Sequence, residues 1–213
     1  MNLNRLLSQY FPDLSSAPTI EVFDETNLFI VYKHIIETLQ MVPEIEQNVI
    51  KGLAFCLYEV LDNVITHSGK KNGTVLFHYS HEQRRMRLVV ADDGVGIKDS
   101  MSKNPLYKDI DEAYAIQICI QKNVTDGNGM GFGLFSTSRL VDHVGISMQI
   151  QSGDYMLIYD GKESIVKDAR NWQGTVVFLD LHSDQDFNPD EIAKDCVEEY
   201  DEMFLDDEET ALW

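Results

Sequence analysis

The sequence has no uninterrupted apolar run near the roughly 20 residues that a helix needs to cross a bilayer. Its opening, MNLNRLLSQYFPD, also lacks the sustained apolar stretch and the small-residue cleavage site of a signal peptide. With 13 glycines and 5 prolines, the chain is neither collagen-like nor a low-complexity linker. These absences predict a soluble, cytoplasmic protein that does not associate with membranes.

Positive charge is scarce, because 17 lysines and arginines face 36 acidic residues and leave a net charge of −19. Thirteen of the acids lie between residues 184 and 213, where Lys194 is the only basic residue. A chain this acidic has no general field that attracts phosphate, so direct binding of nucleic acid is not expected. Any polyphosphate must therefore be held by local backbone donors, a helix terminus and a metal ion.

Cysteine is scarce as well. The three cysteines, Cys56, Cys119 and Cys196, are far apart in sequence and form no CxxC pair. This spacing argues against a structural zinc site and against a disulfide framework. We expect the three cysteines to be small buried side chains in a protein of a reducing compartment.

The length of 213 residues suits one domain with appendages. We expect a segment over residues 1–44 that packs on the core, a main domain over 45–183 and an acidic tail over 184–213. Apolar residues recur at helical spacing in the tail, which predicts an amphipathic helix docked on the domain's own sheet or on a second copy. A solvated, disordered tail is the alternative.

The expected elements mix helices and strands. After Pro43, apolar side chains at spacings of three and four predict one long helix that ends at Gly69. Residues 24–40 fit either a strand or a helix, because periodicity does not distinguish the two there. Strands are predicted at 19–23, 74–79, 86–91, 146–151, 155–159 and 175–181, with 74–79 and 86–91 forming an antiparallel pair.

A long connection over residues 98–126 is predicted to be a lid with its own helix. Asp109 and Glu112 stand at capping-box spacing where that helix should begin. A further helix is predicted after the glycine-rich residues 127–133, and it should end at Gly145.

The long helix carries the first group of residues suited to chemistry. Glu59, Asn63 and His67 follow one another at intervals of four, which places them along one stripe of the helix. A carboxylate and an amide on one face suit a general base and a ligand for a hard metal ion, respectively. A solvated polar face is the alternative interpretation.

Two glycine-containing turns carry the other residues suited to binding a ligand. Asp92 directly follows a strand, and Gly94 and Gly96 would let the backbone approach a flat ligand. The carboxylate could then accept a hydrogen bond from an exocyclic amine of that ligand. An ordinary turn is the alternative. Glycines recur at every second position from 127 to 133, just before a helix, which indicates a phosphate cradle or else a flexible hinge. The spacing is neither that of the P-loop nor that of the Rossmann fingerprint.

Taken together and in order, these motifs and a late Gly174-Thr175 pair resemble the GHKL superfamily of ATPases, which includes gyrase-type topoisomerases and histidine kinases. The resemblance covers about residues 45–181. It implies a Bergerat fold, an α/β (α+β) two-layer sandwich with helices on one face of a mixed, mostly antiparallel sheet. It also implies ATP and Mg²⁺ as cofactors.

The resemblance further implies a role for each matched position. Asn63 would ligate Mg²⁺ and Glu59 would act on the attacking nucleophile as the catalytic base. Asp92 would bind the adenine amino group, with support from Thr175. The remaining nucleotide-binding positions would be His67, Gly94, Gly96, Gly129, Gly131 and Gly133.

Within the superfamily, the chain is most similar to the stand-alone serine kinases that act as anti-sigma factors, because these also use E-x-x-x-N-x-x-x-H. His34 lacks the neighbours of a phospho-accepting histidine. This branch implies phosphoryl transfer from ATP to a small protein partner, such as a STAS-like antagonist or regulator, with a homodimer as a further expectation. An ATP-gated interaction module with little phosphotransfer, or a plain ATPase, stays open. The lid has no arginine for the γ-phosphate, so Lys103, Lys108 and Lys122 are substitutes.

Overall fold

The computed structural model describes residues 2–12, 16–127, 133–192 and 194. Helices and strands alternate in an α+β order, with a short 3₁₀ helix at Pro105–Tyr107. The helices are α1 (Leu3–Tyr10), α2 (Leu28–Gln40), α3 (Gln47–His67), α4 (Ile97–Met101), α5 (Glu112–Ile118) and α6 (Gly133–Val144). The strands are β1 (Thr19–Asp24), β2 (Asn72–Ser80), β3 (Arg85–Ala91), β4 (Gly145–Tyr159) and β5 (Ser164–His182).

The strands form one sheet in the order β1-β2-β3-β5-β4. Every neighbouring pair in the described chain is antiparallel, so the sheet expected to be mixed has no parallel pair within these residues. The predicted pairing of residues 74–79 with 86–91 is confirmed, with Thr74 opposite Ala91.

Alternate residues of the central strands serve two different apolar layers. Val75, Val90 and Val177 face the layer that contains α2, α3, α5 and α6. Leu76 and Val89 face the opposite side, where α1 contributes Leu6, Tyr10 and Phe11. The predicted layer of helices is therefore confirmed for α2–α6, while α1 packs on the other face of the sheet.

The ambiguous stretch after residue 24 is a helix. Asp24 ends β1 in a turn where its Oδ1 accepts from the Thr26 N–H at 2.7 Å. Helix α2 then buries Leu28, Val31 and Ile35 on the core side. These positions follow helical spacing and pack on the sheet, so tertiary packing decides between the two possibilities.

The predicted strands 146–151 and 155–159 are parts of one 15-residue strand, β4. Register shifts at Ser152/Gly153 and Gly153/Tyr155 interrupt its pairing with β5 without ending the strand. β5 itself runs for 19 residues and begins well before the predicted residue 175. Bulges of this kind absorb an extra residue and bend the strand, which a period-two pattern does not register.

The segment 98–126, predicted to be a lid with its own helix, contains that helix as α5, and part of the segment belongs to the core. Ala115, Ile116 and Ile118 of α5 are buried in the main apolar layer. The predicted capping by Asp109 is wrong, since Asp111 is the N-cap and accepts from the Tyr114 N–H at 2.9 Å.

The beginning of the acidic tail packs on the helix layer. A Cβ added to Gly52 of α3 would lie 2.6 Å from Cζ of Phe187 and 3.5 Å from Cδ1 of Ile192. The Phe187 ring also stacks on His143 of α6, with centroids 5.1 Å apart. The predicted tail helix beyond residue 194 lies outside the described residues.

Two further expectations concern cysteine and the membrane. Cys56 and Cys119 are buried and form no disulfide within the described residues, as expected, whereas Cys196 lies outside them. Among the helices of the described chain, none combines the length and the apolar character needed to cross a bilayer.

Candidate functional site

The three motif segments meet along the C-terminal half of α3. A Cβ added to Gly133 would lie 3.0 Å from Nδ2 of Asn63, so the Asn63 amide borders the start of α6. One turn further, His67 Nδ1 lies 2.8 Å from Asp126 Oδ2, just before the glycine-rich segment. At the helix end, the Ser68 carbonyl accepts from the Val95 N–H at 2.8 Å. One helix therefore positions all three segments.

Asp92 sits in a tight turn directly after β3 and is only 3% exposed. Its Oδ1 accepts from the Gly94 N–H at 2.8 Å. Its backbone N–H donates to the Thr175 carbonyl at 2.9 Å, which joins the turn to β5. The carboxylate is thus fixed in place by backbone groups from two segments.

Burial raises the pKa of Asp92 from its ordinary value of 3.8 to about 6. Hydrogen bonds from the backbone of Gly94 and Thr175 offset part of this rise, and the charge of Asp93 adds to it. A buried carboxylate with a raised pKa is typical of a binding or catalytic site. At neutral pH Asp92 is mostly ionised and is a strong acceptor for an amine.

Glycine is required at positions 94 and 96 for two different structural reasons. A Cβ on Gly94 would overlap the Ser68 carbonyl, so only glycine allows this turn to approach α3 so closely. Gly96 has a φ of +83°, a conformation that side chains disfavour. It leads into α4, where the Ile97 N–H donates to Ser152 Oγ at 2.9 Å.

Glu59 is half-buried on α3, one turn before Asn63. Burial raises the pKa of Glu59, and the charge of Asp62 raises it further. This shift brings a carboxylate closer to the pH range in which a general base works best.

His67 has a carboxylate as its observed partner. Asp126 also accepts from Ser100 Oγ at 3.3 Å, so α3, α4 and the residue before the glycine-rich segment share one polar cluster. The resemblance implies that His67 binds the nucleotide. The structure shows in addition that His67 contacts Asp126, the residue just before the glycine-rich segment that the resemblance assigns to phosphate.

The predicted phosphate cradle is described only at its two ends. Gly129 and Gly131 lie outside the described residues, whereas Gly127 and Gly133 lie within them. Of the three lysine substitutes, Lys122 is placed beside α6, with Nζ 6.0 Å from the centroid of the Phe135 ring.

A family model described as Histidine kinase-, DNA gyrase B-, and HSP90-like ATPase matches residues 48–184. The chain belongs to this ATPase family. Membership confirms the GHKL resemblance, the Bergerat fold and the ATP-binding character expected of them. No curated protein matches the chain significantly.

The side chains present at this site suit ATP and Mg²⁺, the cofactors of a GHKL ATPase. The described residues contain no cluster of three or more His, Cys, Asp or Glu that could enclose a metal ion. Mg²⁺ needs no such cluster, because it is commonly held by one or two oxygen ligands together with phosphates and waters. The Asn63 amide oxygen can supply such a ligand, and buried Asp92 can accept from an adenine amine.

Four further residues contact this site although no sequence motif points to them. Asp126, Ser152, Trp172 and Gln173 each contact a predicted motif or the residue next to it. Asp126 could have been suspected, since it directly precedes the glycine-rich segment. The others come from strands 55 to 80 residues away, and no local pattern connects them with the motif.

Replacing Asn63 with alanine is expected to weaken Mg·ATP at least roughly tenfold, because the hard oxygen ligand is lost. Metal-free ADP should bind nearly as well as it does to the wild type. Calorimetry with both ligands measures the difference, and Thr66→Ala, an exposed change on the same helix, serves as the control. Equal losses for both ligands would show that Asn63 only packs against Gly133.

Proposed function

We propose that this GHKL-type protein binds Mg·ATP and transfers the γ-phosphate to a serine or threonine hydroxyl of a small protein partner. The observation that supports the proposal most is the convergence on α3 of Asn63, the DxGxG turn and the end of the glycine-rich segment. Bound ATP would supply the phosphate, and Mg²⁺ would neutralise its charge.

Each end of the nucleotide has a separate set of residues. Asp92 accepts the adenine amine, and Gly94, Gly96 and Thr175 form the surrounding backbone. Asn63 holds the metal ion, and His67 supports the same region through Asp126. Glycines 129, 131 and 133 offer backbone N–H groups to the phosphates, as the family resemblance implies.

Glu59 is the group that accepts the proton of the incoming hydroxyl. Its half-buried position and raised pKa favour proton acceptance near neutral pH. Catalysis otherwise consists of positioning and charge neutralisation, as is usual for phosphoryl transfer. The partner must deliver the hydroxyl, so activity depends on its docking near α3. A STAS-like antagonist is the partner that the family branch suggests, with a second copy of this chain as a further partner.

One observation favours a second candidate, an ATP-gated interaction module. No arginine occurs between residues 98 and 133, so the segment around the cradle has no guanidinium for the γ-phosphate. Such a module would change its affinity for the partner only as far as ATP prefers one arrangement of the glycine-rich segment.

Incubation with ATP labelled at the γ-phosphate and with the candidate partner tests the proposal. We expect the label on a hydroxyl of the partner, at a rate that depends on Mg²⁺. Label released only as inorganic phosphate would make the protein an ATPase. Tight ATP binding that changes affinity for the partner, without any transfer or release of label, would establish the gated module instead.

A further inference from the structure

Residues 172–175 of β5 pack against the Asp92 turn and form hydrogen bonds with its backbone. Trp172 Nε1 donates to the Asp92 carbonyl at 2.9 Å, and Gln173 Nε2 donates to the Gly94 carbonyl. The Thr175 carbonyl accepts from the Asp92 N–H at 2.9 Å. Two carbonyls and one N–H of the turn are therefore held by β5.

Gly174 allows this close approach. Its φ is +90°, and a Cβ there would lie 2.6 Å from Asp92 Oδ1 and 2.6 Å from the Gly94 nitrogen. The family resemblance covers Gly174 and Thr175, but it says nothing of Trp172 or Gln173.

Trp172 is in turn held by α1. Its ring is 5% exposed and packs in the apolar layer that contains Leu6 and Tyr10. The Arg5 guanidinium lies 5.1 Å from the ring centroid, within the range of a cation–π contact. Arg5 also donates to the Asn171 carbonyl at 2.6 Å and to the Arg170 carbonyl, so it fixes the backbone on which Trp172 stands.

Helix α1 lies outside the part of the chain that matches the ATPase family, which begins at residue 48. The line from Arg5 through Trp172 to Asp92 therefore joins an element outside the matched region to the centre of the nucleotide site.

We propose that Trp172 is a positioning residue for adenine binding and that α1, through Arg5, holds the Trp172 indole in place. This inference rests on the proposed assignment of adenine to Asp92. The peptide between Asp92 and Asp93 can rotate only if its carbonyl leaves the indole N–H. Loss of that bond frees the turn, and its ordering then opposes adenine binding.

The main test compares Trp172→Phe with the wild type. Phenylalanine keeps an aromatic ring but has no N–H donor. We expect affinity for adenosine and ADP to fall about tenfold, as for loss of one buried hydrogen bond. Affinity for inorganic tripolyphosphate should stay within about twofold, because the observed contacts of Trp172 are with the Asp92 carbonyl and α1 rather than with Asn63. Calorimetry measures all three ligands.

A matched control separates positioning from general loss of packing. Phe178→Leu changes the same apolar layer without contacting the Asp92 turn. It should lower the melting temperature while ADP affinity stays near that of the wild type. An equal loss of ADP and tripolyphosphate affinity in Trp172→Phe would assign Trp172 a merely structural role and overturn the proposal.

Arg5→Gln tests the contribution of α1. We expect a smaller loss of adenosine affinity, about threefold to tenfold, because the indole keeps its N–H but loses the cation above its ring. Tripolyphosphate again serves as the ligand that should not respond. Unchanged adenosine affinity in Arg5→Gln would remove α1 from the proposal.

Intrinsic fluorescence gives a readout that does not require a Trp172 variant to fold. The chain has two tryptophans, so Trp213→Phe leaves Trp172 as the only indole. We expect adenosine to shift its emission and tripolyphosphate to leave it unchanged. A wild type that binds no adenine compound would contradict the proposed function itself. Normal adenosine binding with no response at Trp172 and no loss in Trp172→Phe would contradict this inference alone.

Discussion

Replacing Asp92 with asparagine is expected to reduce ATP affinity by roughly 100-fold or more, the largest effect of any single change in the nucleotide site. The asparagine loses the charge that makes the acceptor strong, since a charge-assisted hydrogen bond is about twice as strong as a neutral one. Its NH₂ group also opposes the adenine amine as a second donor. Calorimetry with ATP and GTP measures the effect, which should be larger for ATP.

The raised pKa of Asp92 makes the same binding depend on pH. With a pKa of about 6 in the free protein, the carboxylate is mostly protonated at pH 5 and mostly ionised at pH 7.5. Adenosine affinity should therefore fall about tenfold between pH 7.5 and pH 5, and it should be independent of pH in Asp92→Asn. Adenosine is the suitable probe, because it has no phosphate that titrates in this range.

The same pKa has the opposite consequence for the stability of the protein without nucleotide. Because the pKa in the folded state lies above the ordinary value of 3.8, this contribution to stability is complete below about pH 3.8 and is lost as the pH rises through about 6. The melting temperature of the wild type should therefore decrease relative to Asp92→Asn over that interval. A parallel pH dependence of the two proteins would contradict the assignment of the titrating group.

Asp93→Asn is the matched control, since it makes the same chemical change one residue further along. Its ATP affinity should stay close to that of the wild type, because Asp92 still accepts the amine. A loss as large as that of Asp92→Asn would indicate that the net charge of the turn, rather than one positioned carboxylate, controls binding.

Replacing Glu59 with glutamine is expected to lower turnover roughly 100-fold or more, the usual range for a positioned general base, while ATP affinity is preserved. Glutamine keeps the shape of the side chain but cannot accept a proton. Single-turnover phosphoryl transfer and calorimetry, performed on the same preparation, separate the two quantities. A joint loss of binding and turnover would instead make Glu59 a structural residue of α3.

Asp62→Asn provides the control for Glu59. The charge of Asp62 raises the pKa of Glu59, so its removal should lower that pKa while the base remains present. Turnover near neutral pH should persist, and the acidic limb of the pH–rate profile should move to lower pH. An unchanged profile would show that Glu59 does not set that limb.

The parts of the site that the sequence predicts are those that one local segment specifies. The stripe of Glu59, Asn63 and His67 requires only helical periodicity, and the turn at Asp92 requires only a strand end and two glycines. Both were therefore visible as patterns, and the order of the motifs indicated the family.

The parts that the sequence did not predict depend on distant partners. Nothing near Trp172 indicates that its indole donates to Asp92, 80 residues away. The segment 98–126 is predicted as a lid with its own helix, but no local pattern indicates that the apolar residues of this helix pack on β4 and β5. Helix α2 was ambiguous because an apolar run fits both element types until a sheet is present for it to pack on.

The contacts between β5 and the Asp92 turn also determine when the site can form as the chain is synthesised. Arg5 is synthesised before its acceptor on Asn171, which follows 166 residues later. Until β5 pairs with β3, the layer beside α1 lacks Trp172, Val176 and Phe178, and contacts of such long sequence separation form slowly. The Asp92 turn therefore acquires its contacts with Trp172, Gln173 and Thr175 only after β5 has been made and has paired with β3.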